Sequence, residues 1–222
     1  MPFGARVPTM GGMPTSSQWL AFLLASILFI QVPGPSLLFT IGRALTVGRR
    51  EALLSVVGNA LGLIVQVAFV ALGLGAIVAA SATAYTALKL VGAAYVVWLG
   101  VQAVRHRGEA RAALEHPAPV PTGGRGHAVR TGLIVGVTNP KTIVFFAAFL
   151  PQFINDSGPA GLQMGLLGLV FGAMAVCSDS LWALGASRAR DWFARKPQRL
   201  DTLSATGGGM MIALGVTLAA SD

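Results

Sequence analysis

The sequence predicts an all-α integral membrane protein of six transmembrane helices, arranged as two inverted three-helix repeats, with the first and fourth helices broken by proline motifs. Three observations carry this expectation. The 222 residues are 54% apolar and only 11% charged, with a mean hydropathy of +0.70, whereas a soluble domain has roughly a quarter of its residues charged. The charges are clustered, leaving charge-free runs at 7–42, 52–88, 157–178 and 202–221, and about 20 apolar residues let a helix cross a bilayer. Finally, Pro33-Gly34-Pro35-Ser36 and Asn139-Pro140-Lys141 interrupt two of the apolar spans at matching places.

Residues 1–18 form an N-terminal tail. It lacks a short apolar core with a cleavage site, so the first span is expected to be retained, and Met13 is a candidate start because residues 1–12 hold nothing structural. The first repeat, 19–104, contains spans at about 19–41, 52–79 and 88–104. Residues 105–130 form a linker rich in proline and glycine, including Pro117, Pro119, Pro121, Gly123 and Gly124. The second repeat, 131–222, contains spans at about 131–151, 162–187 and 203–220.

Orientation follows from the basic residues. Arg43, Arg49 and Arg50 fall in the first loop; Arg105, Arg107, Arg111, Arg125 and Arg130 in the third; Arg188, Arg190, Arg195, Lys196 and Arg199 in the fifth. Only Arg6, Lys89 and Lys141 of the 16 Lys and Arg lie elsewhere. Cytoplasmic loops carry the Lys/Arg excess, so loops one, three and five are inside and both termini outside. The net charge of +8 is thereby explained by membrane orientation, and no nucleic-acid partner is expected.

Each proline cluster should break its helix, because proline lacks the backbone donor and clashes with the preceding turn. Pro33 stands ten residues before Arg43, and Asn139 nine after Arg130. At about 1.5 Å per residue both breaks lie roughly 15 Å deep, near the bilayer centre. Three spans per half is an odd number, so the halves are inverted, and matched interruptions in inverted halves point to a central binding site. The alternative is a pair of proline kinks accommodated by neighbouring helices. Around the breaks, small residues recur at helical spacing, Gly165, Gly168, Gly172 and Ala175 leading to Asp179, and Gly62 and Gly73 with Asn59 and Gln66. Such faces let helix backbones approach closely.

Lys141 and Asp179 fall well inside spans, whereas Lys89 is expected to snorkel to the outer surface. A charge at a helix centre costs roughly 2.5–3.5 kcal/mol on insertion scales, so both should face the interior and mark a pathway. Lys141 begins a half-helix, where a cation is disfavoured unless an anion faces it. Asp179 would hold an ammonium or take and release a proton. A cation and a carboxylate together match a zwitterion; a permanent structural Lys141–Asp179 pair is the competing reading. The candidate substrate-binding set is therefore Lys141, Asn139, Pro140, Pro33, Gly34, Pro35, Ser36, Asn59 and Gln66, with Asp179 for proton coupling or ammonium binding.

Cys177 is the lone cysteine and reads as a small core residue. His106, His116 and His127 lie in or beside the linker at spacings that fit no metal-ligand pattern. Neither G-x-S-x-G nor H-E-x-x-H occurs, so no catalytic role, metal or cofactor is expected. Membrane lipid is an implied partner, and the small residues at 206–209 offer a face for a homodimer.

Several stretches, in this order, resemble the LysE/RhtB amino-acid exporters of bacterial inner membranes: Pro33-Gly34-Pro35-Ser36, Gly48-Arg49-Arg50, Leu72-Gly73-Leu74-Gly75, Lys89-Leu90-Val91-Gly92-Ala93-Ala94-Tyr95, Thr138-Asn139-Pro140-Lys141 and Phe149-Leu150-Pro151-Gln152-Phe153. The resemblance runs from about residue 19 to 220. It implies a six-span carrier that expels amino acids or their derivatives using the proton gradient, with Asp179 at the position of an acidic residue that relatives carry in the fifth span. Gln66 stands where relatives often have His, and the second span has no acidic residue, which favours a neutral substrate over a basic one. A channel or a non-transporting membrane scaffold is the alternative that six packed spans leave open.

Overall fold

A computed structural model describes residues 13–32, 34–74, 81–115, 124–155, 158–196 and 198–220. Among these it is all helix and turn. The helices are α1 (Ser16–Gln31), α2 (Pro35–Thr46), α3 (Arg49–Phe69), α4 (Ala82–Arg105), α5 (Arg107–Glu115), α6 (Arg125–Val137), α7 (Pro140–Val144), α8 (Ala160–Ala194) and α9 (Gln198–Ala220). A π-helical turn, Val70–Leu74, prolongs α3, and a π turn, Phe145–Phe149, with a 3-10 turn, Leu150–Phe153, prolongs α7. Four stretches are long and apolar enough to cross a membrane alone: Arg49–Gly73, Thr86–Arg105, Ala160–Ala186 and Gln198–Ala220. Two bent pairs bring the number to six if each is one span. The first bends by 48° between α1 and α2, the second by 42° between α6 and α7.

Those bends fall where proline chemistry requires them. Pro140 is the first residue of α7, where its missing N–H costs nothing, and Asn139 caps the helix by accepting from the Lys141 N–H at 3.1 Å. Pro35 likewise opens α2 behind Gly34. Pro33 lies outside the described residues, as do His116 and most of the tail and linker prolines.

Cross-chain contacts fix which ends lie together. The start of α1 meets the end of the fourth span, where Gln18 Nε2 donates to the Ile154 carbonyl at 2.7 Å and Asn155 Nδ2 to that of Met13 at 2.8 Å. At the opposite face Arg111 in α5 pairs with Asp201 in α9 at 3.0 Å, joining the basic third and fifth loops. This is the alternation that the charge pattern requires.

Small residues do bring backbones together, at more positions than the predicted stripes. A Cβ on Gly58 or Gly132 would run into the backbone carbonyls of Val129 and Ser55, and one on Gly62 would come within 2.5 Å of the Val137 nitrogen, so α3 and α6 touch backbone to backbone. The α4–α9 pair does the same, each of Gly100 and Gly208 placing a Cβ 2.6 Å from the other's carbonyl oxygen. Gly73 and Gly172 have open space beside them. In the stretch expected to serve a homodimer, Gly207 packs on Val32 and Gly208 on Gly100, while Thr206 and Gly209 stay exposed.

Three other expectations are corrected. Cys177 is exposed on α8 rather than in the core. Lys89 is buried instead of reaching the outer surface, and Arg43, counted with the first loop, is 1% exposed at the end of α2. Counting charges gives topology but not depth.

Candidate functional site

The two breaks face one another. At each, the carbonyls that end the first half-helix have lost their intrahelical donors, and an unpaired carbonyl in the membrane core costs several kcal/mol. A side chain from elsewhere covers each. Lys141 crosses from the second break to the first, where Nζ donates to the Val32 carbonyl, the C-cap of α1, at 2.6 Å and lies 4.7 Å from the Phe29 ring centroid. Its ammonium thus sits against the negative end of the α1 dipole, a stabilising partner that the sequence could not name. Gln66 covers the second break, its Nε2 donating to the carbonyls of Gly136 at 2.7 Å and Val137 at 3.0 Å.

A small cavity of about 40 Å³ lies between the breaks, lined by Lys141, Asp179, Asn59, Asn139, Ser36 and Gly34 among others. Five of the predicted binding residues are therefore brought together with Asp179. Pro140 lies on the other side of Lys141, Gln66 is occupied at the end of α6, and of Pro35 only the backbone is described. Asp179 accepts from Asn59 Nδ2 at 3.3 Å. It forms no contact ion pair with Lys141, although the two share the cavity. At roughly 10–15 Å³ per water the space holds a few water molecules, which is too little for an amino acid.

A second cavity, of about 410 Å³, lies on the other side of the same partition. Val32, Gly34 and Lys141 border both spaces. The larger one is walled by Trp98, Gln102 and Ala103 of α4 and Ser204 and Met211 of α9, and reaches His106 and Glu109. The latter two belong to the face of the basic loops, so this cavity is a vestibule open toward that face. The opposite direction is closed by aromatic rings: Phe145 lies 4.5 Å from Phe29, 4.7 Å from Phe171 and 5.3 Å from Phe149, centroid to centroid. Gly34 is small for a reason, since a Cβ there would come within 3.0 Å of Lys141 Cδ.

Sequence reasoning missed the vestibule wall. Part of its signal was there, because Trp98 and Gln102 follow the i, i+4 spacing of one helical face and His106 caps the same helix. It also missed Arg43, whose Nη2 lies 3.6 Å from Glu51 Oε2 and ties α2 to α3, while Nε and Nη1 are buried with no hydrogen-bond partner.

Two broken spans meeting at a buried cation and carboxylate, with a vestibule open to one side and aromatic rings packed on the other, define a polytopic membrane protein with a polar site at its centre. The chain belongs to the LysE type translocator family, whose pattern it matches over residues 27–222. It is a multi-pass inner-membrane protein and, as a translocator, not an enzyme. An uncharacterized membrane protein of Vibrio cholerae is 33% identical over 210 residues, covering 90% of this chain and 96% of that one. The homoserine/homoserine lactone efflux protein of Salmonella typhimurium is 32% identical over 207 residues, 93% of this chain and 98% of the relative. The threonine efflux protein of Escherichia coli is 28% identical over 153 residues, 68% and 74% of the two chains. No solved structure gives a significant match.

Proposed function

We propose that this protein exports neutral amino acids or close derivatives, each leaving as a proton enters. The relatives named for homoserine and threonine efflux support the substrate class. The observation that carries the mechanism is the position of Lys141, between a vestibule large enough for a small solute and a compartment large enough only for water. Lys141 holds the substrate carboxylate. Asp179, with Asn59 and Ser36 around it, takes and releases the proton. Residues 19–104 and 131–222 act as two inverted repeats joined by the 105–130 linker, and rocking of one against the other would open the Phe29–Phe145–Phe171 seal as the vestibule closes.

Everted membrane vesicles and a panel of labelled amino acids test this. The expected result is saturable uptake that an imposed proton gradient drives and an uncoupler abolishes. Unsaturable, gradient-independent flux would mean a channel, and no flux of any amino acid a scaffold.

A further inference from the structure

We propose that the transported amino acid binds in the vestibule, inserted between Lys141 Nζ and the Val32 carbonyl, with its side chain read by Ser204 and Gln102. This rests on the export reading above and adds where the substrate sits and which residues select it.

Size makes the first decision. The Asp179 compartment, at about 40 Å³, holds water, while the vestibule, at about 410 Å³, lies within the roughly 300–1,000 Å³ typical of small-molecule sites. Charge makes the second. The Lys141–Val32 contact offers a cation and a backbone acceptor 2.6 Å apart, both bordering the vestibule. A zwitterion matches that pair end for end: its carboxylate takes the ammonium of Lys141, and its own ammonium takes the freed carbonyl at the negative end of α1. Such an exchange breaks one charge-assisted hydrogen bond and forms two.

The third observation concerns selection. Ser204 is 4% exposed, lines the vestibule, and its Oγ has no hydrogen-bond partner. A buried hydroxyl left unpaired is costly, and because Ser204 borders the vestibule, a turn of its side chain would bring the Oγ, closed off from that space in this structure, to a ligand there. Gln102 lies on the same wall, among the apolar groups of Trp98, Leu99 and Met211. One hydroxyl and one amide in an apolar wall suit a short side chain with a single uncharged polar group. Among the described residues, a charged side chain would find no counter-ion on that wall short of His106 and Glu109 at the mouth.

The test compares Ser204→Ala and Ser204→Leu with the parent in proteoliposomes, measuring L-threonine and 2-aminobutyrate, which lacks the hydroxyl. Thermal stabilisation by each amino acid is recorded in detergent. Ser204→Ala should raise KM for threonine about fivefold, the loss of one neutral hydrogen bond, and leave 2-aminobutyrate within twofold. Ser204→Leu fills the wall and should weaken binding of both at least tenfold while the protein stays folded. Unchanged KM values and unchanged stabilisation in both variants would overturn the vestibule assignment and leave the export reading standing. A parent that neither transports nor is stabilised by any amino acid would overturn both. If Ser204→Leu does not fold, the threonine-to-aminobutyrate ratio in Ser204→Ala decides alone.

Discussion

Replacing Lys141 by methionine removes the ammonium from the partition between the two compartments, and the structure gives both sides of the energetic balance. Lost are the 2.6 Å hydrogen bond to the Val32 carbonyl and the approach to the Phe29 ring at 4.7 Å. A charge-assisted hydrogen bond contributes about 1.5–3 kcal/mol, and a desolvated cation–π contact about 2 kcal/mol. Removing a buried ammonium returns a desolvation cost of several kcal/mol, and the uncovered Val32 carbonyl borders the vestibule, where water can take over the hydrogen bond, so gain and loss roughly cancel. Asp179 keeps its hydrogen bond from Asn59 and has no contact ion pair with Lys141 to lose. Lys141→Met should therefore unfold within about 2 kcal/mol of the parent yet show no stabilisation by amino acids. A permanent structural pair predicts otherwise: losing one member would cost about 3–5 kcal/mol, and Lys141→Met with Asp179→Leu would restore stability. Thermal unfolding in mild detergent of the parent, both single variants and the double, with and without amino acid, separates the two. A strong loss in Lys141→Met that the double variant repairs would make Lys141 and Asp179 a structural pair and not a substrate site.

Three further outcomes are expected. Gln66→Leu strips the donor from the carbonyls of Gly136 and Val137 and should destabilise by about 1–3 kcal/mol, read as a lower unfolding temperature with substrate affinity retained; a changed affinity at unchanged stability would make Gln66 a substrate ligand after all. Gly132→Val should cost at least about 1–3 kcal/mol, because its Cβ would meet the Ser55 backbone, and an unaffected unfolding temperature would contradict the α3–α6 packing. A periplasm-active reporter fused after Asp222 should give signal, and signal only from a cytoplasm-active reporter would contradict six crossings.

The spans and their breaks were legible because hydropathy, charge counting and proline geometry are local properties. Pro140 opens a half-helix by the same chemistry in any fold. The central pair was also legible, since a lysine and an aspartate in apolar spans have few places to go. What each one touches was not. Lys141 is held by a carbonyl on another span, and Gln66, read as a ligand, covers the end of α6, because every broken helix needs a donor from a distant segment and the sequence does not say which will arrive. Arg43 and Lys89 were misplaced for a related reason: packing, not the charge pattern, sets burial. The division into two compartments was invisible, since it depends on three residues, Val32, Gly34 and Lys141, meeting across two breaks.

The central claim is that substrate and proton occupy different compartments on either side of Lys141, and Asp179→Asn in proteoliposomes tests it most directly. The amide keeps the shape and can still hydrogen-bond to Asn59, but it carries neither charge nor a transferable proton. Counterflow of labelled against unlabelled amino acid needs only substrate binding, whereas net export against a gradient needs the proton. Counterflow should persist while proton-driven net transport is lost. Loss of both in a folded variant would place the substrate on Asp179, and normal net transport would remove Asp179 from the coupling.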